Sequence, residues 1–340
     1  MNQTSKRYGD LCRRRQNFLQ RAWDASELTI PFILPRHGTQ DQELPTPYQS
    51  IGARGVNNLS AKLLLTLFPP NSPFFKFQID DFTLAELEAQ RAPVEEGLNA
   101  MERSVMDEVE AKAMRVPLNE ALRHLIITGN ACLHVDKDNA VRVFHLDQYV
   151  VRRDPQGKML EIIVHEKMSR ELYMDIFGTL PPKESGDSDK ADEKELNLYT
   201  IVRRKDNKIH VHQEVNDMKI PNTDSKYPLD KNPWLTLRFS SIDGEDYGRG
   251  FVEEYLGDLK ALEGLSKAIL EGSCAAARAI FLVRPNGTTK LKTISQAPNL
   301  AVRQGSAEDV SVLQMEKFND FRVARETLET TERRLAAAFL

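Results

Sequence analysis

The chain has 340 residues, 41% hydrophobic and 28% charged, a balance that supports a packed core and argues against disorder over most of its length. With 46 Lys and Arg against 50 Asp and Glu the net charge is −4, which excludes a global electrostatic grip on nucleic acid and leaves only local or weak contacts. Cys12, Cys132 and Cys274 lie too far apart for a disulfide framework or a zinc motif, the first fifteen residues lack a secretory apolar segment, and no run approaches the ~20 apolar residues of a membrane span.

Tyr8, Leu11, Cys12, Leu19, Ala22 and Trp23 recur at helical spacing and predict a helix from about Thr4 to Leu28, ended by Pro31 and Pro35. A polar loop through Pro45 and Pro47 leads to a second helix, Tyr48 to Phe68, closed by Pro69-Pro70; its run Leu63-Leu64-Leu65 predicts burial on most sides. Thr83-Leu-Ala-Glu86 has the form of a capping box and starts a third helix that Pro93 kinks or restarts. Val94, Leu98, Met101, Val105 and Val109 then form one apolar stripe to about Met114, and Pro117 opens a short helix ending at Gly129.

From Ala131 to Ile242 the period changes to two. Leu133–Val135, Val141–Phe144, Ile162–Val164, Leu198–Val202, Ile209–Val211 and Trp234–Leu237 read as strands, with turns at Asp154-Pro-Gln-Gly157 and Asp206-Asn207 and a charged surface loop from Pro181 to Glu195. After Gly248 the chain is helical for about 30 residues. Short strands and loops follow from Ile280 to Gln314, and a last helix from about Lys317 carries Phe318, Phe321, Ala324, Leu328, Leu335 and Phe339 on one side.

The helix after Gly248 is the informative element, because on a helical wheel it shows three stripes. Val252, Tyr255, Leu259, Leu262 and Ile269 ask for a conventional core. Gly257, Ala261, Gly264, Ala268, Gly272 and Ala275 make a smooth opposite face. Each glycine costs about 0.8–1.0 kcal/mol relative to alanine inside a helix, so three on one face imply a close-packed neighbour, either another helix of this chain or one from an adjacent copy in a ring. The third stripe, Glu253, Lys260, Glu263, Lys267 and Glu271, is of mixed sign: a solvated face, or in a ring the lining of a water-filled channel.

Chemistry-bearing motifs are sparse. No phosphate loop is present, and Tyr247-Gly-Arg-Gly250 is too short for a dinucleotide site. His210 and His212 share a predicted strand face and bind a metal only if a further ligand comes from elsewhere, a half-exposed polar face being the simpler reading; Asp136, Asp138 and Asn139 fit a turn better than a calcium loop, and Asp243, Glu245 and Asp246 suit the start of a helix. Arg278, Arg284, Lys290 and Lys292 form the basic concentration of the segment between the last two helices, either solvated or in contact with DNA or a partner. No catalytic residue and no cofactor is assigned.

Ser50-Ile-Gly-Ala-Arg-Gly-Val-Asn-Asn-Leu-Ser-Ala-Lys-Leu63, Thr128-Gly-Asn130, Tyr149-Val-Val-Arg-Arg-Asp154 and Asp243-Gly-Glu-Asp-Tyr-Gly-Arg-Gly-Phe-Val-Glu-Glu-Tyr-Leu-Gly-Asp-Leu259 resemble, collinearly over the whole chain, the portal (head-to-tail connector) proteins of short-tailed phages of the podovirus and autographivirus kind. The resemblance implies an α+β portal fold: a mixed α/β wing over residues 1–247, a first stem helix over 248–279, a small α/β clip over 280–315 and a second stem helix over 316–340. It further implies a dodecameric ring at one capsid vertex of the virion, assembled in the host cytoplasm. Such a ring passes double-stranded DNA during packaging and ejection, contacts major capsid and scaffolding proteins, and docks first the terminase large subunit and then a tail adaptor. On this reading the protein is no enzyme. Portal proteins continue past the second stem helix into a tunnel loop and crown, so the end at Leu340 implies an incomplete portal whose apolar stretch Ala336–Leu340 lacks its cover. The alternatives are a tail adaptor ring or a phage DNA-processing enzyme, the latter requiring a metal-carboxylate cluster or phosphate loop.

Overall fold

The computed structural model describes residues 4–36, 44–70, 72–80, 91–182, 195–276, 280–285, 302, 306–313 and 318–339. The chain divides into two compact units, Met1–Gly257 with Phe339–Leu340, and Asp258–Ala338.

In the first unit, α1 (Thr4–Glu27) buries Leu11, Arg15, Leu19, Ala22 and Ser26, spaced by four, four, three and four. The arginine in that stripe is anchored through one guanidinium nitrogen, although its buried Nε has no partner. Its Nη1 donates to the carbonyls of Leu146, Asp147 and Tyr149 at 2.7, 2.9 and 2.5 Å. Helix α2 (Ile51–Leu67) ends before the proline pair, but Leu65 is 59% exposed, so its leucine run is not buried on most sides. Helix α3 (Arg91–Ala111) carries Pro93 in its first turn, where the missing N–H costs no helical hydrogen bond. Its apolar stripe is only partly covered: Val109 is buried, whereas Met101 and Val105 lie exposed. The predicted capping box at Thr83 falls outside the described residues. Helix α4 (Arg115–Thr128) stops at Gly129, whose φ of 74° is the left-handed cap that glycine adopts without penalty.

Two antiparallel sheets follow. One has the order β2 (Val141–Phe144), β1 (Asn130–Val135), β9 (Trp234–Arg238). The other runs β3 (Tyr149–Arg153), β4 (Met159–Met168), β5 (Leu196–Lys205), β6 (Lys208–Val215), β7 (Met218–Lys219), with β8 (Ser225–Pro228) also paired to β6. Alternation sorts the large sheet's side chains into two cores. Tyr149, Val151, Ile162, Val164 and Val202 pack with Leu19, Ala22, Phe144 and Trp234, while Val150, Ile163 and Ile201 pack with Leu11. Helix α1 thus contributes to both, and each buried aliphatic adds roughly 1.5–3 kcal/mol. Glu161 of β4 joins the three elements, accepting from Arg7 of α1 at 2.8 Å and from Arg203 of β5 at 2.7 Å.

Helix α5 (Arg170–Phe177), β3, β7 and β8 have no counterpart among the predicted elements. Nor does the helix after Gly248 run unbroken: α6 (Phe251–Glu254) ends at Tyr255, where φ is −108° and ψ 10°, before α7 (Leu256–Ala276) begins. In the second unit β10 (Ile280–Val283) pairs antiparallel with β11 (Val310–Leu313), and Asp258 of α7 meets Arg334 of α8 (Phe318–Phe339) at 3.0 Å. Phe339, in the first unit, is not the uncovered end that the sequence implied. It is 2% exposed, with ring centroids 5.3 Å from Phe251 and 5.4 Å from Tyr255.

Candidate functional site

Helix α7 is approached through a crowded glycine joint. Asn130 accepts from the Gly248 N–H at 2.7 Å and donates to its carbonyl at 3.0 Å. A Cβ on Gly250 would lie 2.4 Å from the Ile127 carbonyl oxygen, and one on Gly129 would lie 2.2 Å from the Arg249 carbonyl carbon. Such backbone-to-backbone approach admits no side chain. Asp246 accepts from the Arg153 N–H at 2.7 Å, and the Tyr247 hydroxyl accepts from the Val151 N–H at 3.1 Å. Glu245 pairs with Arg249 at 2.9 Å. The acidic residues before α6 therefore brace the joint, in keeping with a structural use.

Of the small-residue face, Gly257, Ala261, Gly264 and Ala268 are exposed and Gly272 and Ala275 half-buried. An added Cβ at Gly257 or Gly264 meets nothing within 4 Å. The opposite face is closed in its first half, Leu259 and Leu262 being 0% and 2% exposed, and half-covered at Ile269. One helix thus has a covered apolar side and an open, smooth one.

The charged stripe is reduced from five to four. Glu253 stands on α6, and its carboxylate accepts from Arg21 at 2.9 Å and Arg249 at 3.1 Å, because the break at Tyr255 takes it out of phase with α7. Lys260, Lys267 and Glu271 are exposed and Glu263 half-buried, with Lys267 and Glu271 3.9 Å apart. Of the four basic residues singled out between α7 and α8, Arg284 is exposed and follows β10, its N–H donating to Asp309 at 2.9 Å. Arg278, Lys290 and Lys292 lie outside the described residues.

The candidate metal ligands on β6 do not assemble into a site. His212 contacts Glu214 at 3.0 Å, the neighbour two residues along the same strand, and no third ligand of the described residues joins them. Sequence reasoning passed over a different trio, Glu120 and His124 of α4 and His145 after β2, whose ligand atoms all lie within 4.8 Å of one another. Burial, reinforced by the facing His145, pushes the His124 pKa down to about 3, so this imidazole is neutral at physiological pH.

A family described as bacteriophage head to tail connecting protein matches residues 1–340. A portal protein of Enterobacteria phage T3 is 36% identical, covering 98% of this chain and 64% of the relative. One from Escherichia phage T7 is 34% identical, covering 96% of this chain and 62% of the relative. The chain therefore spans a little under two thirds of these relatives. Among solved structures, a chain from the virion of a native gene transfer agent particle matches at 12% identity and a TM-score of 0.35 over 66% of this chain and 54% of that one, too distant to bear on the fold.

Proposed function

The chain belongs to the bacteriophage head to tail connecting protein family, and from that membership we propose that it is a portal subunit, one copy in a ring at a single capsid vertex. The observation that carries this reading is the open small-residue face of α7. Each buried-face helix in a closed ring has a neighbour to either side, so a face left free by its own chain meets the adjacent copy. Gly257 and Gly264 allow that copy's backbone to come close, which offsets the helix propensity they sacrifice.

Lys260, Glu263, Lys267 and Glu271 then face the channel. Mixed charge suits a conduit through which double-stranded DNA slides during packaging and ejection, since many fixed cations would hold the duplex by counterion release. The ring is a dodecamer and a passive conduit with no catalytic role. Its clip, with Arg278, Arg284, Lys290 and Lys292, docks the terminase large subunit and later the tail adaptor, while the wing meets major capsid and scaffolding proteins.

The test is location. Co-expressed with its cognate capsid and scaffolding proteins and labelled for electron microscopy, the chain is expected at one vertex per particle. Label spread over all vertices, or found only at a distal position on the tail, would overturn the reading.

A further inference from the structure

Glu120 and His124 lie one turn apart on α4, at the i,i+4 spacing that sets two side chains on the same helix face, and His145 opens the turn between β2 and β3. We propose that these three residues bind one divalent transition-metal ion of the zinc type, clasping α4 to the β2–β3 turn. The inference does not depend on the portal reading.

The strongest observation is His124 itself. It is 1% exposed, yet neither ring nitrogen has a hydrogen-bond partner. A buried polar atom without a partner has lost its bonds to water and gained nothing, and native structures rarely leave one so. Its two polar neighbours do not answer it by hydrogen bonding. Glu120 approaches its Nε2 no closer than 4.0 Å, and the His145 ring stands off at a centroid distance of 4.9 Å with the planes inclined by 53°.

An ion between them resolves this arrangement. Zinc holds imidazole nitrogen and carboxylate oxygen at about 2.0–2.2 Å, so its ligand atoms sit roughly 3–3.5 Å apart, inside the 4.0 Å between Glu120 and His124 and the 4.8 Å that bounds the trio. Binding closes the difference by rotation of Glu120, whose side chain is 48% exposed, and of half-buried His145, while buried His124 stays fixed. Two imidazoles and a carboxylate favour zinc, cobalt or nickel over magnesium or calcium, which prefer all-oxygen sites. Three protein ligands leave the fourth position to water on the exposed Glu120 side.

The experiment uses the untagged 340-residue chain, stripped with a chelator and titrated with Co2+, whose visible d–d absorption reports nitrogen and oxygen ligands, followed by displacement with Zn2+. The expected result is one equivalent of Co2+ per chain, displaced by one of Zn2+. Glu120→Gln and His145→Ala are each expected to weaken binding at least tenfold with unchanged circular dichroism, Glu120 being exposed and His145 half-buried. A His210→Ala, His212→Ala double variant should bind as the parent does. Absence of a cobalt spectrum beyond that of the aqueous ion would overturn the proposal, as would full binding in both Glu120→Gln and His145→Ala, or loss confined to the double variant.

Discussion

Glu161 shows how a single side chain ties stability to pH. Burial alone would raise its carboxyl pKa, but hydrogen bonds from Arg7 and Arg203 outweigh that and hold it below the ordinary glutamate value of 4.5. A folded-state pKa below the unfolded one means the ion pairs stabilise fully above that value and are lost as pH falls through it and through the lower folded pKa. Glu161→Gln should therefore cost about 1–3 kcal/mol at pH 7, and its urea midpoint should approach that of the parent as pH drops below about 4. A gap of constant size across that range would reject the account. Gly129 and Gly178 make a second residue-scale test, both having positive φ, 74° and 65°. A Cβ on Gly178 meets nothing within 4 Å, so Gly178→Ala should cost only the left-handed conformation, about 1–2 kcal/mol. Gly129→Ala adds the collision with Arg249 and should cost distinctly more in a thermal melt; equal costs would show that the joint relaxes freely. The sequence marked Gly129 as a helix end through its cap role, but the crowding comes from residues about 120 positions later, which no local pattern reveals. The same separation in space hid His124, which along the chain is one histidine on a helix until folding sets His145 beside it.

Elements with strong periodicity were legible within three residues at each end: helix Thr4–Glu27 against the predicted Thr4–Leu28, and Ile51–Leu67 against Tyr48–Phe68. Short ones were not. Helix α5 spans eight residues, too few for a wheel, although Ser169, whose side chain accepts from the Leu172 N–H at 3.2 Å, and Gly178 at its far end are the ordinary start and stop signals. Strands β7 and β8 hold two and four residues at the edge of the large sheet and pair with β6 through tertiary placement rather than through their own pattern. The break at Tyr255 was invisible because Glu253 and Glu254 continue a plausible helical wheel; what stops α6 is visible only in the backbone. On α7 the open face leads to a prediction at this scale. A Cβ at Gly264 meets nothing within 4 Å, and Gly264→Leu replaces a poor helix former with a good one, so the isolated chain should keep or slightly gain helix content, by about 0.8–1 kcal/mol in propensity. In the proposed ring the branched side chain would occupy the space taken by the neighbouring copy, and ring formation should fail. Circular dichroism and native mass spectrometry read the two effects separately. Intact rings, or helix lost in step with assembly, would show that the face is not an interface between copies.

At the scale of the whole molecule, the order of elements and the family were both legible, because long collinear stretches such as Ser50–Leu63 and Asp243–Leu259 carry more information than any local propensity. The glycine joint at Gly248–Gly250 reads as a boundary in sequence, whereas the compact units part between Gly257 and Asp258, since Glu253 and Tyr255 are held by Arg21, Arg249 and Phe339. Charge is the property that belongs to the molecule as a whole, and it leads to the last prediction. At a net −4 the chain has no global attraction for a duplex, so in the proposed ring passage would depend on where the cations of α7 stand. Lys260 and Lys267 are exposed on α7, about one turn from Glu263 and Glu271, so each cation presents a weak, interrupted attraction rather than a continuous grip. Replacing both with glutamine takes the copy from −4 to −6 by removing two positive charges, without altering the small-residue face. Rings should form normally, and DNA inside filled particles should be held less firmly, with earlier release on warming and a weaker dependence on salt. Particle counts by electron microscopy and nuclease accessibility of the packaged DNA measure the two halves of this expectation. Failure of ring formation, with normal retention in whatever particles survive, would place Lys260 and Lys267 in the contact between copies and move the channel lining to another face.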